Sequence, residues 1–258
     1  MTCVDINCDA GESYAAWTLG EEHAVMPHVT SVNISCGVHA GDPGVMRKTV
    51  ESAIAYDLSI GAHPGLPDRE SYGRREQAIS PGEVYDLVVY QIGALRAIAQ
   101  VQGARLRHVK PHGALYNMAA ARPPLADAVA RAVRDVDASL AVYGLSGSAS
   151  IDAARAAGLT ALSEVFPDRA YASDGTLLPR SHAAALIEDP HFAAARAVRM
   201  VREGVVMSVD GTPIAVTAET LCIHGDGTNA GAIAAAVRTA LAMEKVEVAA
   251  PRPRPSPA

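Results

Sequence analysis

The feature that most constrains the fold is a repeated alternation of short apolar, strand-like runs with segments of helical periodicity. Most strand-like runs are followed by a helical segment long enough to cross back over a sheet, which is typical of a parallel α/β arrangement. The residues at 80–83, Ser-Pro-Gly-Glu, match a capping box at a helix start. The pattern predicts strands at 3–7, 31–35, 58–62, 106–109, 140–143, 160–163 and 220–223, and helices at 45–56, 81–102, 123–135, 148–157, 192–203 and 230–244.

About seven such units in one chain favour a closed barrel over an open sheet. The chain has 258 residues, of which 49% are hydrophobic and 19% charged, so a large aliphatic core is expected. We predict a single α/β domain over residues 1–247, a TIM-like (β/α) barrel with about seven strands. Residues 248–258 are rich in Pro and are predicted to form a disordered tail.

The charge balance narrows the class of partner. A formal net charge of −6 argues against a nucleic acid or a membrane surface, since both favour a basic patch. The chain contains no run of about 18 apolar residues that would span a membrane. The N-terminal residues lack the basic and apolar regions of a signal peptide. We therefore expect a cytoplasmic protein.

Clusters of polar residues follow five of the strand-like runs. They lie at 5–12, 33–42, 61–65, 110–117 and 222–226. The carboxyl ends of parallel strands meet at one edge of a barrel or sheet, and ligand sites form there. The clusters therefore predict one polar surface built from several strand-to-helix loops.

The first cluster is rich in carboxylates. Asp5, Asn7 and Asp9 alternate along the first strand, so all three face the same side while the strand lasts, and Glu12 follows. Carboxylates pointing into a barrel mouth can hold a metal, bind a substrate ammonium group or activate a water molecule. The alternative interpretation is a structural network that caps loop amides.

Four histidines occupy equivalent positions just past strand ends. They are candidates for metal binding together with Asp9 or Asp42, or for general acid–base catalysis. The alternative is that each is a satisfied structural residue, and no H-x-H or H-E-x-x-H motif is present. The four are His39, His63, His112 and His224; the others, His23, His28, His108, His182 and His191, are interpreted as ordinary surface or helix positions.

Cationic residues accompany the polar clusters. Lys110 opens one cluster, while Arg74, Arg75 and Arg169 lie in polar loops suited to binding a carboxylate or phosphate. The alternative for the arginines is a solvated charged loop. The sequence has no G-x-x-x-x-G-K-[ST] phosphate-binding loop. Cys36, close to His39, is a weaker candidate for a nucleophile, and a buried structural thiol is the alternative.

Seven motifs in order carry a resemblance to a known family. The chain resembles the LamB/YcsF family from near residue 4 to about residue 245. The matching stretches are 5–12, 33–43, 61–65, 72–75, 109–117, 164–171 and 222–226.

The resemblance implies a barrel of the glycoside hydrolase/deacetylase type. It also implies ATP-dependent hydrolytic opening of 5-oxo-L-proline to L-glutamate, in a complex with 5-oxoprolinase subunits B and C. ATP would then be used by the assembled complex. Whether a divalent metal is also bound stays open, and no metal ligand is assigned.

Hypothetical roles follow for the matched residues. Asp9 or His112 acts as general base, Lys110 and Arg74 bind a carboxylate or phosphoryl group, and histidines 39, 63 and 224 orient groups or stabilise charge. We expect a catalytic set of Asp9, His39, His63, Lys110 and His112. The expected substrate-binding set is Asp5, Asn7, Glu12, Asn33, Asp42, Arg74, Arg75, Tyr116, Glu164, Asp168, Arg169, His224 and Asp226.

Two other functions remain open from the sequence. One is a metal-dependent deacetylase or amidohydrolase that acts alone on a sugar or small amide, using the same barrel and His/Asp clusters. The other is a non-catalytic subunit that shapes a partner's binding site.

Overall fold

The chain folds into a closed barrel of parallel strands, as predicted. The computed structural model describes residues 2–18, 20, 22–225, 227 and 229–251. Within these ranges seven parallel strands form the barrel: β1 Cys3–Ala10, β2 Ser31–Ser35, β3 Ser59–His63, β4 His108–Val109, β5 Ala141–Leu145, β6 Thr160–Val165 and β9 Thr220–Cys222. They close a ring in the order β1-β2-β3-β4-β5-β6-β9, and β9 pairs back to β1.

Helices accompany the strands and supply one side of the core. The predicted capping box at Ser80 and Glu83 is present at the start of α3. No helix in the described part of the chain is both long and apolar enough to cross a bilayer. The helices are α1 Glu22–Val25, α2 Pro43–Ala55, α3 Pro81–Val101, α4 Gly113–Ala121, α5 Pro123–Val136, α6 Ala149–Ala156, α7 Pro190–Glu203 and α8 Ala230–Met243.

Several elements were not predicted from the sequence. Helix α4 begins inside the polar cluster at 110–117, whose Ala-rich continuation favours a helix. An antiparallel pair, β7 (Val205–Met207) and β8 (Pro213–Ala215), stands apart from the barrel. A short strand β10 (Glu247–Val248) pairs with the start of β1, and residues 252–258 of the predicted tail lie outside the described residues.

The two faces of the strands differ in chemistry. Aliphatic side chains such as Ile6, Val32 and Ile60 are buried in the large core that the helices share. The alternate residues point into the barrel, where polar groups dominate instead of the branched aliphatic layers usual in such barrels. These inward residues include Asp5, Asn7, Asp9, Ser31, Asn33, Ser35, His63, His108, Lys110, Tyr143, Glu164, Thr220 and Cys222.

Hydrogen bonds satisfy the deepest part of this polar interior. The Asp5 carboxylate accepts from the hydroxyls of Thr30, Ser31 and Thr220, each at 2.7 Å. Burial nevertheless raises the pKa of Asp5, despite these hydroxyl donors. Buried polar groups are tolerated when they are hydrogen-bonded in this way. The barrel interior can therefore hold polar side chains in fixed positions instead of an aliphatic core.

A glycine on β3 makes room for one of the interior rings. A Cβ built at Gly61 would lie 2.1 Å from His108 Nε2. We expect Gly61→Ala to lower the free energy of unfolding by about 1–3 kcal/mol, because His108 is fully buried and overpacking forces neighbouring groups to move. Urea denaturation followed by circular dichroism measures this change.

The control for this substitution is Gly93→Ala in the middle of α3. A Cβ at Gly93 meets nothing within 4 Å, so Ala should be neutral or stabilising by about 0.5–1 kcal/mol. Equal stability losses at both positions would show that the Gly61 effect does not come from the His108 ring.

Candidate active site

A cavity of about 840 Å³ lies among the strand ends and the loops that follow them. It contains both signs of charge. Its wall includes Asp9, Glu12, His63, Lys110, His112 and His224, and the arginines Arg74, Arg169 and Arg180 also line it. Four of the five predicted catalytic residues therefore share this wall, while His39 packs directly behind His112.

Lys110 is the cationic centre of the site. Its Nζ lies 3.0 Å from Asp9 Oδ1, 3.0 Å from Glu164 Oε1 and 2.9 Å from Cys222 Sγ. Burial opposes its charge, but Asp9, Cys222 and Glu164 outweigh that effect and hold the pKa of Lys110 well above its usual range. The side chain is thus a fixed ammonium group bridging two carboxylates.

Asp9 links the lysine to the histidines. Its Oδ2 lies 3.3 Å from His63 Nε2, and its Oδ1 accepts from Lys110 and from Asn33 Nδ2 at 2.9 Å. Burial alone would favour the protonated acid, but His63 and Lys110 outweigh it and hold the pKa of Asp9 well below the usual range. Asp9 is therefore ionised at neutral pH.

Three histidine rings pack together beside Asp9. His112 Nδ1 lies 2.9 Å from His63 Nε2, and the rings of His39 and His112 are stacked with centroids 3.9 Å apart. Burial, with the neighbouring histidines, holds the pKa of His112 well below its usual range, and burial also lowers that of His39. Both rings are therefore neutral at pH 7.

A second carboxylate–imidazole pair lies across the cavity. Asp168 Oδ2 accepts from the backbone N–H of His224 at 2.8 Å and lies 2.9 Å from its Nδ1. Burial opposes ionisation of Asp168, but His224 outweighs it and lowers the pKa of that carboxyl. This contact fixes the ring of His224, which lines the cavity along with Tyr116.

Other predicted substrate-binding residues occupy different places. Asp5, Asn7 and Asn33 lie deeper in the barrel, where they contact other interior side chains. Asp42 caps the N-terminus of α2 and accepts from Gly44 and Val45. Arg75 pairs with Asp68 at the surface, and Asp226 lies outside the described residues. Arg169 does line the cavity, but its guanidinium donates to the carbonyls of Ala185 and Leu178.

The interpretation of His108 as an ordinary surface or helix residue was wrong. The ring is 1% exposed, stacks on Tyr143 and lies 2.8 Å from Asn33 Oδ1 through its Nε2. The available signal was its position two residues before Lys110, which directly follows the strand, because residues two apart along an extended chain share a face. Cys36 is buried, and burial raises the pKa of its thiol to about 12, which opposes a role as nucleophile.

These observations define the class of protein: a β/α barrel with a carboxylate, imidazole and ammonium site at the carboxyl ends of its strands. The model of the LamB/YcsF family matches residues 4–255, so the chain belongs to the LamB/YcsF family. This confirms the resemblance inferred from the seven motifs.

Named relatives match over nearly their whole length. The 5-oxoprolinase A subunit of Bordetella pertussis is 55% identical over 95% of this chain and 97% of its own. The protein of the same name from Tolumonas auensis is 52% identical over 96% and 99%.

The fold has counterparts among solved structures. The lactam utilization protein of Thermus thermophilus superposes with a TM-score of 0.90 at 48% identity, covering 96% of this chain and 99% of that one. A putative cellobiose-phosphate cleavage protein from Enterococcus faecalis has a TM-score of 0.59 at 15% identity over 96% and 97%, a similarity of fold alone.

Proposed function

We propose that this chain is the A subunit of an ATP-dependent 5-oxoprolinase, which opens 5-oxo-L-proline to L-glutamate together with subunits B and C. The observation that carries the proposal is the 55% identity with a relative of that name across 97% of the relative. The acid–base cavity at the strand ends supports a hydrolytic role. A cytoplasmic location belongs to the same proposal.

The chemistry explains why ATP is required. A five-membered lactam is a stable amide, and transfer of the γ-phosphoryl group to its oxygen makes the ring carbon electrophilic. Water then adds to that carbon, and the C–N bond breaks as the nitrogen takes a proton, leaving an acyl phosphate. A second water hydrolyses the acyl phosphate to glutamate and phosphate. We assign the hydrolytic half to this chain, whose sequence has no phosphate-binding loop of the usual kind.

The site offers a group for each proton transfer. Asp9 is ionised and lines the cavity, so it takes the proton from the attacking water. Lys110, a neighbour of Asp9 in the same wall, stabilises negative charge that develops on the substrate. His224, oriented by Asp168, supplies the proton to the departing ring nitrogen, and Arg74 on the wall binds a substrate carboxylate or phosphoryl group.

The proposal is tested by reconstitution. Subunits B and C from the same organism are incubated with 5-oxo-L-proline and ATP, with and without this chain, and glutamate is measured by chromatography. We expect ATP-dependent glutamate only in the complete mixture. Absence of glutamate when all three proteins are folded and associated would contradict the proposal.

Two Asp→Asn substitutions, one in the cavity and one at an exposed position, test whether the activity depends on the cavity. Asp9→Asn should lower glutamate formation by about 10²–10⁴-fold, as expected for loss of a general base. The control Asp152→Asn makes the same chemical change at an exposed position on α6 and should keep full activity. An Asp9→Asn protein that assembles and turns over like the control would exclude the assigned role of Asp9.

A second candidate is a metal-dependent amidohydrolase acting alone. The observation that favours it is a buried group of Glu12, His39, His63 and His112, whose ligand atoms all lie within 4.8 Å of one another. Hydrolysis of a small amide by the isolated chain, without ATP and abolished by a chelator, would support this function over the first.

A further inference from the structure

One nitrogen of His63 and one nitrogen of His112 face each other in the site. His63 Nδ1 lies 2.7 Å from the backbone oxygen of Lys110, so this nitrogen carries a proton and donates it. His112 Nε2 lies 2.6 Å from the backbone oxygen of Tyr72 and donates likewise. Because the first nitrogen of each ring faces a carbonyl, His63 Nε2 and His112 Nδ1 are the ring nitrogens left for another partner, and they lie 2.9 Å apart.

A carboxylate oxygen converges on the same point. Glu12 Oε1 lies 3.4 Å from His112 Nδ1, and Glu12 is only 8% exposed. This oxygen is buried and has no hydrogen-bond donor among the described residues. Three possible ligand atoms thus converge, and Asp9 Oδ2 lies 3.3 Å from the same His63 nitrogen. A divalent cation held by the three atoms would satisfy the Glu12 oxygen, which is costly to bury without a partner.

We propose that Glu12 Oε1, His63 Nε2 and His112 Nδ1 bind one divalent transition-metal ion of the Zn²⁺ class. The separations of 2.9 and 3.4 Å are close to the edge of about 3.3 Å that a tetrahedral site with ligand bonds near 2.05 Å requires. Two histidines and one glutamate form a known ligand set of catalytic zinc sites. Each histidine also donates its outer N–H to a backbone carbonyl, as metal-binding histidines almost always do.

An ion held by these three residues would lie at the wall of the cavity. All three ligand residues line the cavity, whereas His39 lies behind His112. His39 is stacked on His112 at an interplanar angle of 4°, so the two ring planes are parallel and offset and cannot both contain one ion. His39 therefore supports His112 rather than completing the site.

A neighbouring group of possible ligands is a poorer choice. Asp9, Cys222 and His224 also come within 4.8 Å of one another. However, the ammonium group of Lys110 already lies 3.0 Å from Asp9 and 2.9 Å from Cys222, so a cation occupies that position. The Glu12 site has no such lysine or arginine in contact with its donor atoms among the described residues, which is why we place the ion there.

A bound ion would act as a Lewis acid and lower the pKa of a water molecule in the cavity. That role in hydrolysis rests on the proposed function, but the binding site itself does not. The binding can therefore be tested with the chain alone, while the glutamate assay tests the proposed function separately.

The test is metal binding to the full chain after dialysis against a chelator. Titration with Zn²⁺ by calorimetry should give one site per chain, and Co²⁺ should produce a visible absorption band typical of a low-coordinate site. Glu12→Gln and His63→Gln should each weaken Zn²⁺ binding on the order of 100-fold or more. The control is His224→Gln, which leaves the three ligands intact and should bind as tightly as the original chain.

Circular dichroism of the metal-free variants shows whether weaker metal binding comes from loss of a ligand or from loss of the fold. Glu12→Gln is chosen because Gln has the same shape as Glu and disturbs the packing least. Absence of stoichiometric Zn²⁺ and Co²⁺ binding by the folded original chain would overturn the proposal. Binding that survives Glu12→Gln and His63→Gln but is lost in His224→Gln would also overturn it, by placing the ion in the other group.

Discussion

Replacing Lys110 by Met is expected to lower the free energy of unfolding by about 3–5 kcal/mol and to reduce glutamate formation more than 10³-fold. The ammonium group lies 3.0 Å from both Asp9 Oδ1 and Glu164 Oε1, and Glu164 is fully buried. When the ammonium group of Lys110 is removed, no lysine or arginine among the residues described forms an ion pair with either carboxylate. Urea denaturation at pH 8 measures the stability, and the reconstituted reaction measures the activity.

Two further variants isolate the cause of that loss. Lys48→Met removes a lysine from the exposed face of α2 and should change stability by less than about 0.5 kcal/mol. The double substitution Lys110→Met with Glu164→Gln should regain part of the lost stability, because one of the two unpaired charges is gone. If Lys110→Met alone costs less than about 1 kcal/mol, the carboxylates are not both ionised in the folded protein.

The barrel itself was predictable because its strands follow one another along the chain. Strand β2 was predicted at its observed residues, and α2 and α3 were within about two residues at each end. The short strand β4 was harder, since only His108 and Val109 pair with its neighbours although four residues were predicted to form a strand. Periodicity detects an apolar run but not the length over which backbones pair.

The composition of the cavity wall was partly predictable. His63 ends β3, and Lys110 and His112 follow β4; because the carboxyl ends of these parallel strands meet, the three side chains converge. The sequence did not separate these residues from Asp42 and Arg75, which lie in similar polar loops but serve a helix N-terminus and a surface ion pair. The difference depends on side-chain direction after the strand has ended, where the period of two no longer applies.

The polar interior below the cavity had no sequence signal beyond alternation. His108, Asn33, Asn7 and Glu164 are joined by hydrogen bonds across β4, β2, β1 and β6. Each residue alone is compatible with an exposed strand face, and only closure of the barrel makes that face internal. Such a network fixes Lys110 and Asp9 from beneath, because a buried polar group left unpaired would be costly.

The buried ring of His108 is expected to make the protein less stable in acid. Burial, together with Lys110 and His63, lowers the pKa of His108 to about 3, whereas an ordinary histidine in the unfolded chain has a pKa near 6.5. Between these values the unfolded chain binds one more proton than the folded one. The stability that His108 contributes is therefore complete above pH 6.5 and is lost as the pH falls towards 3, at about 1.4 kcal/mol per pH unit.

The measurement compares the slope of unfolding free energy against pH, from about 7.5 to 4.5, for the original chain and for His108→Gln. Over roughly the two units below 6.5 the original chain should lose about 2–3 kcal/mol more than the variant, whatever the absolute stability of the variant. His191→Gln, at an exposed position of α7, should keep the original slope. Parallel slopes for the original chain and His108→Gln would mean that His108 takes up its proton without unfolding, so that its ring is not held neutral by the barrel interior.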